Sequence, residues 1–321
     1  MSEILLEVKN LKKYYSPRSS QRRKNSALIR AIDGISFQIP SGTTYGLVGE
    51  SGCGKTTVGK TIMRLQDATD GEVLFEGKDI LSLKGKQLRQ LRTQMQMIFQ
   101  DPFSSMDPKK TIYQTVSEPV REFKTVSSKE IRSAVIRILE DCGLSEDILD
   151  KYPHEFSGGQ RQRICIARAL ILSPRFIVCD EPVSALDVSV QAQIINLLKR
   201  LQRERGIAYL FISHDLSVVE HVSDYVGVMY LGKLVETGPQ KELFTNPLHP
   251  YTKALLSAVP IPDLHRTDKR IILSGDVPSA DQPPEGCPFH TRCPQCKDIC
   301  KAQVPEMKTY SGEHQVACHF A

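Results

Sequence analysis

No apolar run in this chain of 321 residues approaches the roughly 18 residues that a membrane span requires; Val226–Leu231 is typical of what exists. The opening stretch MSEILLEVKN carries acids and no apolar signal region, so a secretory leader is not expected. Charge of one sign is scarce too. The 42 Lys and Arg stand against 37 Asp and Glu, and the resulting +5 does not call for a nucleic-acid partner. Sustained heptads are missing, which argues against a long coiled coil. What is present, 40% hydrophobic and 25% charged residues, excludes a disordered or collagen-like chain. The length suits one large α/β domain with a smaller appendage, or two modest domains, and the expected setting is soluble and cytoplasmic.

Cysteine is thinly spread at first and then concentrated. Cys53, Cys142, Cys165 and Cys179 are scattered, whereas Cys287, Cys293, Cys296, Cys300 and Cys318 fall within the last 35 residues. A cytosolic chain should not keep structural disulfides, so the cluster points to a metal.

Ile4–Val8 reads as a strand and precedes a polar loop with Arg18, Arg22, Arg23 and Lys24 and no acid, which fits a solvated surface loop. From Ile29 to Gly77 the pattern is β-rich, with strands over Ala31–Ile39, Tyr45–Val48 and Glu72–Glu76 and a helix over Lys55–Leu65. The stretch from about Lys86 to Pro153 reads as helical, with Ser127 and Glu130 at capping-box spacing. Alternation then returns: a helix over Gln160–Leu172, a buried strand over Phe176–Cys179, a helix with Val190, Ile194, Leu197, Leu198 and Leu201 on one face, and a strand over Ala208–Ile212. Short apolar strands alternating with helices predict a mainly parallel sheet covered on both faces. The tail from Ile261 holds seven of the 19 prolines and no periodicity, so its order must come from something other than a large core.

Three motifs carry chemistry. Gly49, Glu50, Ser51, Gly52, Cys53, Gly54, Lys55 and Thr56, with Thr57 behind them, fit a P-loop between a strand and a helix. Its N–H groups and helix dipole suit phosphate, Lys55 the β- and γ-phosphates, and the Thr56 hydroxyl Mg²⁺. Phe176–Glu181 is an apolar strand ending in two acids: Asp180 suits Mg²⁺ and Glu181 suits the polarising of an attacking water. Ser157, Gly158, Gly159 and Gln160 form a second phosphate cradle at a helix start, suited to a nucleotide other than the one held by the P-loop.

With these motifs the chain resembles the ATP-binding subunits of ABC transporters over residues 3 to about 260. The resemblance implies an ABC-type P-loop α/β fold with a parallel sheet core and a β-rich N-terminal part. Within residues 1–260 it implies a helical subdomain at about 86–160, followed by a small Cys-rich extension at 261–321. It further implies that Tyr15 stacks on adenine, that Gln100 contacts Mg²⁺ or water and leads to the membrane partner, that Asp187 belongs to the D-loop, and that His214 is the switch histidine. Phe156 stands where the family usually has Leu, a bulky apolar residue that should serve the same packing.

Asn246–Thr252, Leu273–Ser279 and the cysteine spacing look like the extension of oligopeptide and dipeptide importer ATPases, in which Cys287, Cys293, Cys300 and Cys318 match the holders of a [4Fe–4S] cluster. Zn²⁺ is the rival, since Cys293 and Cys296 offer a close pair. The resemblance thus implies ATP hydrolysis powering peptide import from the cytoplasmic face of the membrane. The implied partners are a second ABC ATPase subunit, expected to form a heterodimer, two transmembrane permease subunits and an extracytoplasmic peptide-binding protein. A nickel importer would generally lack the cysteine tail. A DNA-repair ATPase would carry a coiled coil or zinc insertion, and a translation factor would carry two P-loops where this chain has one.

Overall fold

The computed structural model describes residues 3–16, 28–123, 127–259 and 271–321; the segment with Arg18, Arg22, Arg23 and Lys24 and the start of the tail lie outside them. The chain divides into two compact units. One comprises Met1–Leu5, Ile39–Thr43 and Ser82–Ile212, the other Leu6–Gln38, Thr44–Leu81 and Ser213–Ala321.

In the first unit the strand Phe176–Asp180 lies parallel to Met95–Ile98 on one side and Ala208–Ile212 on the other, with Met97 opposite Val178 and Val178 opposite Leu210. Every residue of Phe176–Asp180 and Ala208–Ile212 is buried, as expected of strands covered on both faces. Met95–Ile98 corrects the reading of Lys86–Pro153 as helical throughout. Four residues are too few to display a period, and their extended state is set by pairing with Phe176–Cys179.

The helices of this unit have local reasons to begin and end where they do. Ser128–Asp141 opens on a complete capping box between Ser127 and Glu130 and buries Ile131, Val135, Ile138 and Leu139. Val188–Arg205 is capped by Asp187, ends at Gly206 in the left-handed region (φ 66°), and turns Ile194, Leu197, Leu198 and Leu201 inward.

The second unit has two sheets. In one, Ile29–Pro40, Ile4–Tyr15, Asp70–Phe75 and Lys78–Asp79 are neighbours in that order. The N-terminal strand therefore runs seven residues beyond the expected end at Val8, paired antiparallel with Asp70–Phe75 as far as Lys12. In the other, Thr44–Val48 lies parallel to Tyr225–Tyr230, which pairs antiparallel with Lys233–Pro239.

The proline-rich tail finds its order on this sheet. Its hairpin, Lys308–Ser311 and His314–Val316, adds to Lys233–Pro239 with Val316 opposite Glu236. The Glu236 carboxylate is fully buried and accepts from the Leu248 N–H (2.7 Å), the His249 N–H (2.9 Å) and His314 Nε2 (2.8 Å). Three donors on one buried carboxylate offset much of its desolvation, and they join the tail hairpin to the Asn246–Thr252 motif. His249 in turn caps the helix Pro250–Ser257 by accepting the Tyr251 N–H at Nδ1 (3.1 Å).

Burial, with a smaller contribution from the Lys253 charge, holds the His249 imidazole down to about 3. Its ordinary value is about 6.5, so below that pH the unfolded chain takes up a proton that the folded chain refuses. Stability is therefore expected to fall as pH drops from about 6.5 toward 3, by up to about 1.4 kcal/mol per pH unit from this residue. Urea unfolding midpoints across pH 7.5 to 5.5 check this. His249→Asn, which keeps a cap acceptor, should flatten the slope, and equal slopes in both proteins would remove His249 as its source.

Candidate nucleotide-binding and hydrolysis site

The strand Thr44–Val48 runs into a loop that ends where the helix Lys55–Ile62 begins. Gly54 sits at φ 107°, and a Cβ there would stand 2.1 Å from the Ala31 carbonyl oxygen; at Gly49, φ 151°, it would stand 2.2 Å from that of Met229. Backbone packed this closely admits only glycine. The Lys55 ammonium is buried and donates to the carbonyl oxygens of Gly49 (2.7 Å) and Glu50 (2.9 Å). The Cys53 thiol lies 3.7 Å from it, and burial pushes that thiol up, so it stays protonated beside the cation. Thr56 and Thr57 occupy the first helical turn, where backbone N–H groups have no intrahelical partner.

Glu50 is held by partners elsewhere in the chain. Its N–H donates to the Tyr251 hydroxyl (2.9 Å), and its carboxylate accepts twice from Arg292 (2.7 and 3.1 Å). The neighbouring aromatics divide as well. Tyr14 donates to Asp33 (2.5 Å), and burial with that contact raises it to about 12. Tyr15 donates to Gln66, and the Lys13 ammonium sits 4.9 Å from its ring centroid. His214 is exposed in the turn before the helix Leu216–Val222, and the preceding Ser213 N–H bonds the Leu47 carbonyl of the P-loop strand (3.2 Å).

The first unit carries the other candidates. Asp180 ends its strand with 4% exposure. Glu181 follows at φ 46°, a conformation that non-glycine residues rarely adopt, with its N–H on the Ile212 carbonyl (2.9 Å). Gln100 Nε2 donates to the Glu181 carboxylate at 3.0 Å, so two candidates 81 residues apart meet.

Ser157 caps the helix Gly158–Leu170 and exchanges hydrogen bonds with Gln160, whose Oε1 accepts the Ser157 N–H (3.1 Å). Gly158 and Gly159 form the first turn of that helix, and Phe156 before it is buried, as the packing argument required. Asp187 accepts from the Val190 N–H (3.0 Å) and the Ser189 hydroxyl (2.7 Å), which hold its carboxyl below the usual range.

The tail cysteines share one neighbourhood. Burial first, then the nearby thiols of Cys300, Cys293 and Cys318, lift Cys287 to about 11. Cys293 is raised by burial and, in part, by Cys318, Cys300 and Cys296. Cys296 contacts the Lys297 carbonyl (3.6 Å) and is not among the thiols acting on Cys287. Cysteine sulfurs are soft donors and suit a soft metal group in their chemistry. Among the described residues, however, no group of three or more His, Cys, Asp or Glu side chains stands at metal-holding separation.

Sequence reasoning missed Arg292, Tyr251 and Glu236 as site-shaping residues. The only signals were an arginine directly before Cys293 and a tyrosine inside the Asn246–Thr252 motif. Among the described residues no helix is long and apolar enough to cross a membrane.

A family model for the ABC transporter matches residues 32–184, and one for the oligopeptide/dipeptide transporter C-terminal region matches residues 235–300. The oligopeptide transport ATP-binding protein AppF of Bacillus subtilis (strain 168) is 52% identical over 321 residues, 99% of this chain and 98% of that protein. The oligopeptide transport ATP-binding protein OppF of Salmonella typhimurium is 49% identical over 321 residues, 98% and 96% of the two chains.

Among solved structures, cbiO1 from Clostridium perfringens, part of the ABC transporter complex cbiONQ, matches with a TM-score of 0.66 and 29% identity over 76% of this chain and 92% of that one. The ATP-binding cassette MJ0796, as a dimer in a post-hydrolysis state bound to ADP and Pi, gives 0.65 and 27% over 74% and 99%. The fold is that of an ABC-type P-loop ATPase, and the chain belongs to the ABC transporter family, among its oligopeptide and dipeptide transport ATP-binding proteins.

Proposed function

We propose that this chain hydrolyses ATP to power peptide import through an ABC transporter, working as a peripheral subunit on the cytoplasmic face of the membrane. The observation that carries the reading is the Gln100–Glu181 hydrogen bond at the end of a buried strand, in a chain similar over nearly its whole length to peptide-transport ATP-binding proteins. Residues 1–260 are the ATPase, with its helical subdomain at about 86–160, and residues 261–321 are the extension.

In this reading the N–H groups from Ser51 to Thr57 receive the phosphates, and Lys55 exchanges its loop carbonyls for phosphate oxygens. Thr56, Asp180 and Gln100 would hold Mg²⁺, which would supply charge to offset that of the phosphates. Glu181 takes the proton of the attacking water, with Gln100 fixing one carboxylate oxygen. His214 serves as the switch histidine, and Tyr15 offers a ring face to adenine. Ser157, Gly158, Gly159 and Gln160 close over the nucleotide of a second ATPase subunit, with Asp187 at the same junction; that the ATP-binding cassette MJ0796 is a dimer supports the presence of such a second subunit. A heterodimer with another ABC ATPase, two permease subunits and an extracytoplasmic peptide-binding protein complete the importer.

Cys287, Cys293, Cys300 and Cys318 would hold a [4Fe–4S] cluster that pins the tail, and the alternative is a Zn²⁺ site on Cys293, Cys296, Cys300 and one more cysteine; the influence of Cys300, Cys293 and Cys318 on Cys287 supports the first set. Anaerobic purification with metal analysis is expected to give a brown protein with about four irons per chain and broad absorption near ~400 nm. A colourless protein with one zinc would assign the site to Zn²⁺.

Glu181→Gln is expected to bind ATP normally, to lose about 10²–10⁴-fold in turnover and to accumulate as a dimer with ATP in size-exclusion chromatography. Turnover close to that of the unaltered protein would remove Glu181 from the base role. Co-purification from detergent extract tests the assembly: permease partners support transport, and ribosomal or DNA partners refute it.

A further inference from the structure

The C-terminal extension reaches the P-loop through one side chain. Arg292 lies one residue before Cys293, its side chain is 8% exposed, and both its terminal nitrogens donate to the Glu50 carboxylate, at 2.7 and 3.1 Å. Glu50 follows Gly49 directly, and its carbonyl oxygen is one of the two acceptors of the Lys55 ammonium. The same residue is gripped a second time, since its N–H donates to the hydroxyl of Tyr251.

Behind the guanidinium the support is rigid. Its charge lies 6.0 Å from the Tyr230 ring centroid, and Phe289 is fully buried between Tyr230, Tyr251 and His249 at 4.8 to 5.5 Å among these rings. The Arg292 N–H returns to the Phe289 carbonyl at 3.1 Å, so the arginine is anchored to that aromatic cluster by its own backbone.

We infer that Arg292 is a positioning residue for nucleotide binding: through its two-pronged bond to Glu50 the extension holds the start of the P-loop in the form that receives phosphate. A planar fork on a carboxylate fixes orientation as well as distance, which a lone lysine cannot do. Glu50 gives its carboxylate to the extension and its N–H to Tyr251, so both contacts fix the start of the loop. Linkage is reciprocal, so whatever loosens the Cys287–Cys293 turn weakens nucleotide binding by the same factor that nucleotide tightens the turn.

The inference rests on the reading of Gly49–Thr57 as the nucleotide cradle. The test is ADP binding to the full chain by fluorescence titration, for the unaltered protein, Arg292→Gln, Arg292→Lys, Glu50→Gln and the double variant Glu50→Gln/Arg292→Gln. Metal content is measured on each sample. Arg292→Gln and Glu50→Gln are each expected to weaken ADP binding about tenfold, within the usual range of site-to-site coupling. Together they should cost no more than either alone, because the same bond is removed. Arg292→Lys should recover part of the loss. For the Arg292 variants the Michaelis constant for ATP should rise in parallel while turnover at saturating ATP holds within about threefold, as for an interaction made equally in ground and transition states.

Affinity within about twofold of the unaltered protein in folded single variants, or losses that multiply in the double variant, would overturn the inference. Should Arg292→Gln fail to fold, Glu50→Gln, altered on the more exposed side of the pair, decides alone. Unaltered protein that does not bind ADP would overturn the cradle reading as well, whereas normal binding there with indifferent variants overturns only the role of Arg292.

Discussion

A buried ammonium at the junction of strand and helix is the constraint around which the second unit is built. Lys55 has left water, and a buried cation without partners costs several kcal/mol, so the loop must fold its own carbonyl oxygens onto it. That demand forces the backbone of Gly49 and Gly54 against Met229 and Ala31, leaving no room for side chains there. The loop is thereby wound by its own carbonyl contacts to Lys55.

The first unit stores its constraint in backbone conformation. Asp180 ends a strand whose residues are all buried, and Glu181 immediately after it turns into the left-handed region. For a non-glycine residue such a turn costs on the order of 1–3 kcal/mol, and surrounding contacts must maintain it. Two of those contacts are visible: the N–H of Glu181 on Ile212 and its carboxylate under the amide of Gln100. The turn ends the strand between two adjacent acids, with Asp180 buried in it and Glu181 beyond it.

The extension is a working part of the second unit. Its hairpin continues the sheet beyond Lys233–Pro239, its Phe289 completes an aromatic cluster with Tyr230 and Tyr251, and its His314 shares the buried Glu236 with the Asn246–Thr252 segment. Beside the buried Phe289 and Val316, the tail buries charged and polar groups that have found their partners, and together these give a proline-rich stretch without periodicity its order.

The phosphate loop, the acid-ended strand, the Ser127 and Ser157 caps and the long helix from Val188 were legible in the sequence because each rests on local chemistry: glycine spacing, capping side chains, apolar period. The family resemblance was legible for the same reason, being carried by short motifs. Only the tertiary structure decided that Met95–Ile98 is a strand, that the N-terminal strand continues to Tyr15, and that Gln100 meets Glu181. It also decided that Glu50, inside the motif, answers to Arg292 at a separation of 242 residues. Pairing across such distances leaves no periodic trace, since a hydrogen bond or ion pair needs two groups in one place and sequence records only one dimension of that place.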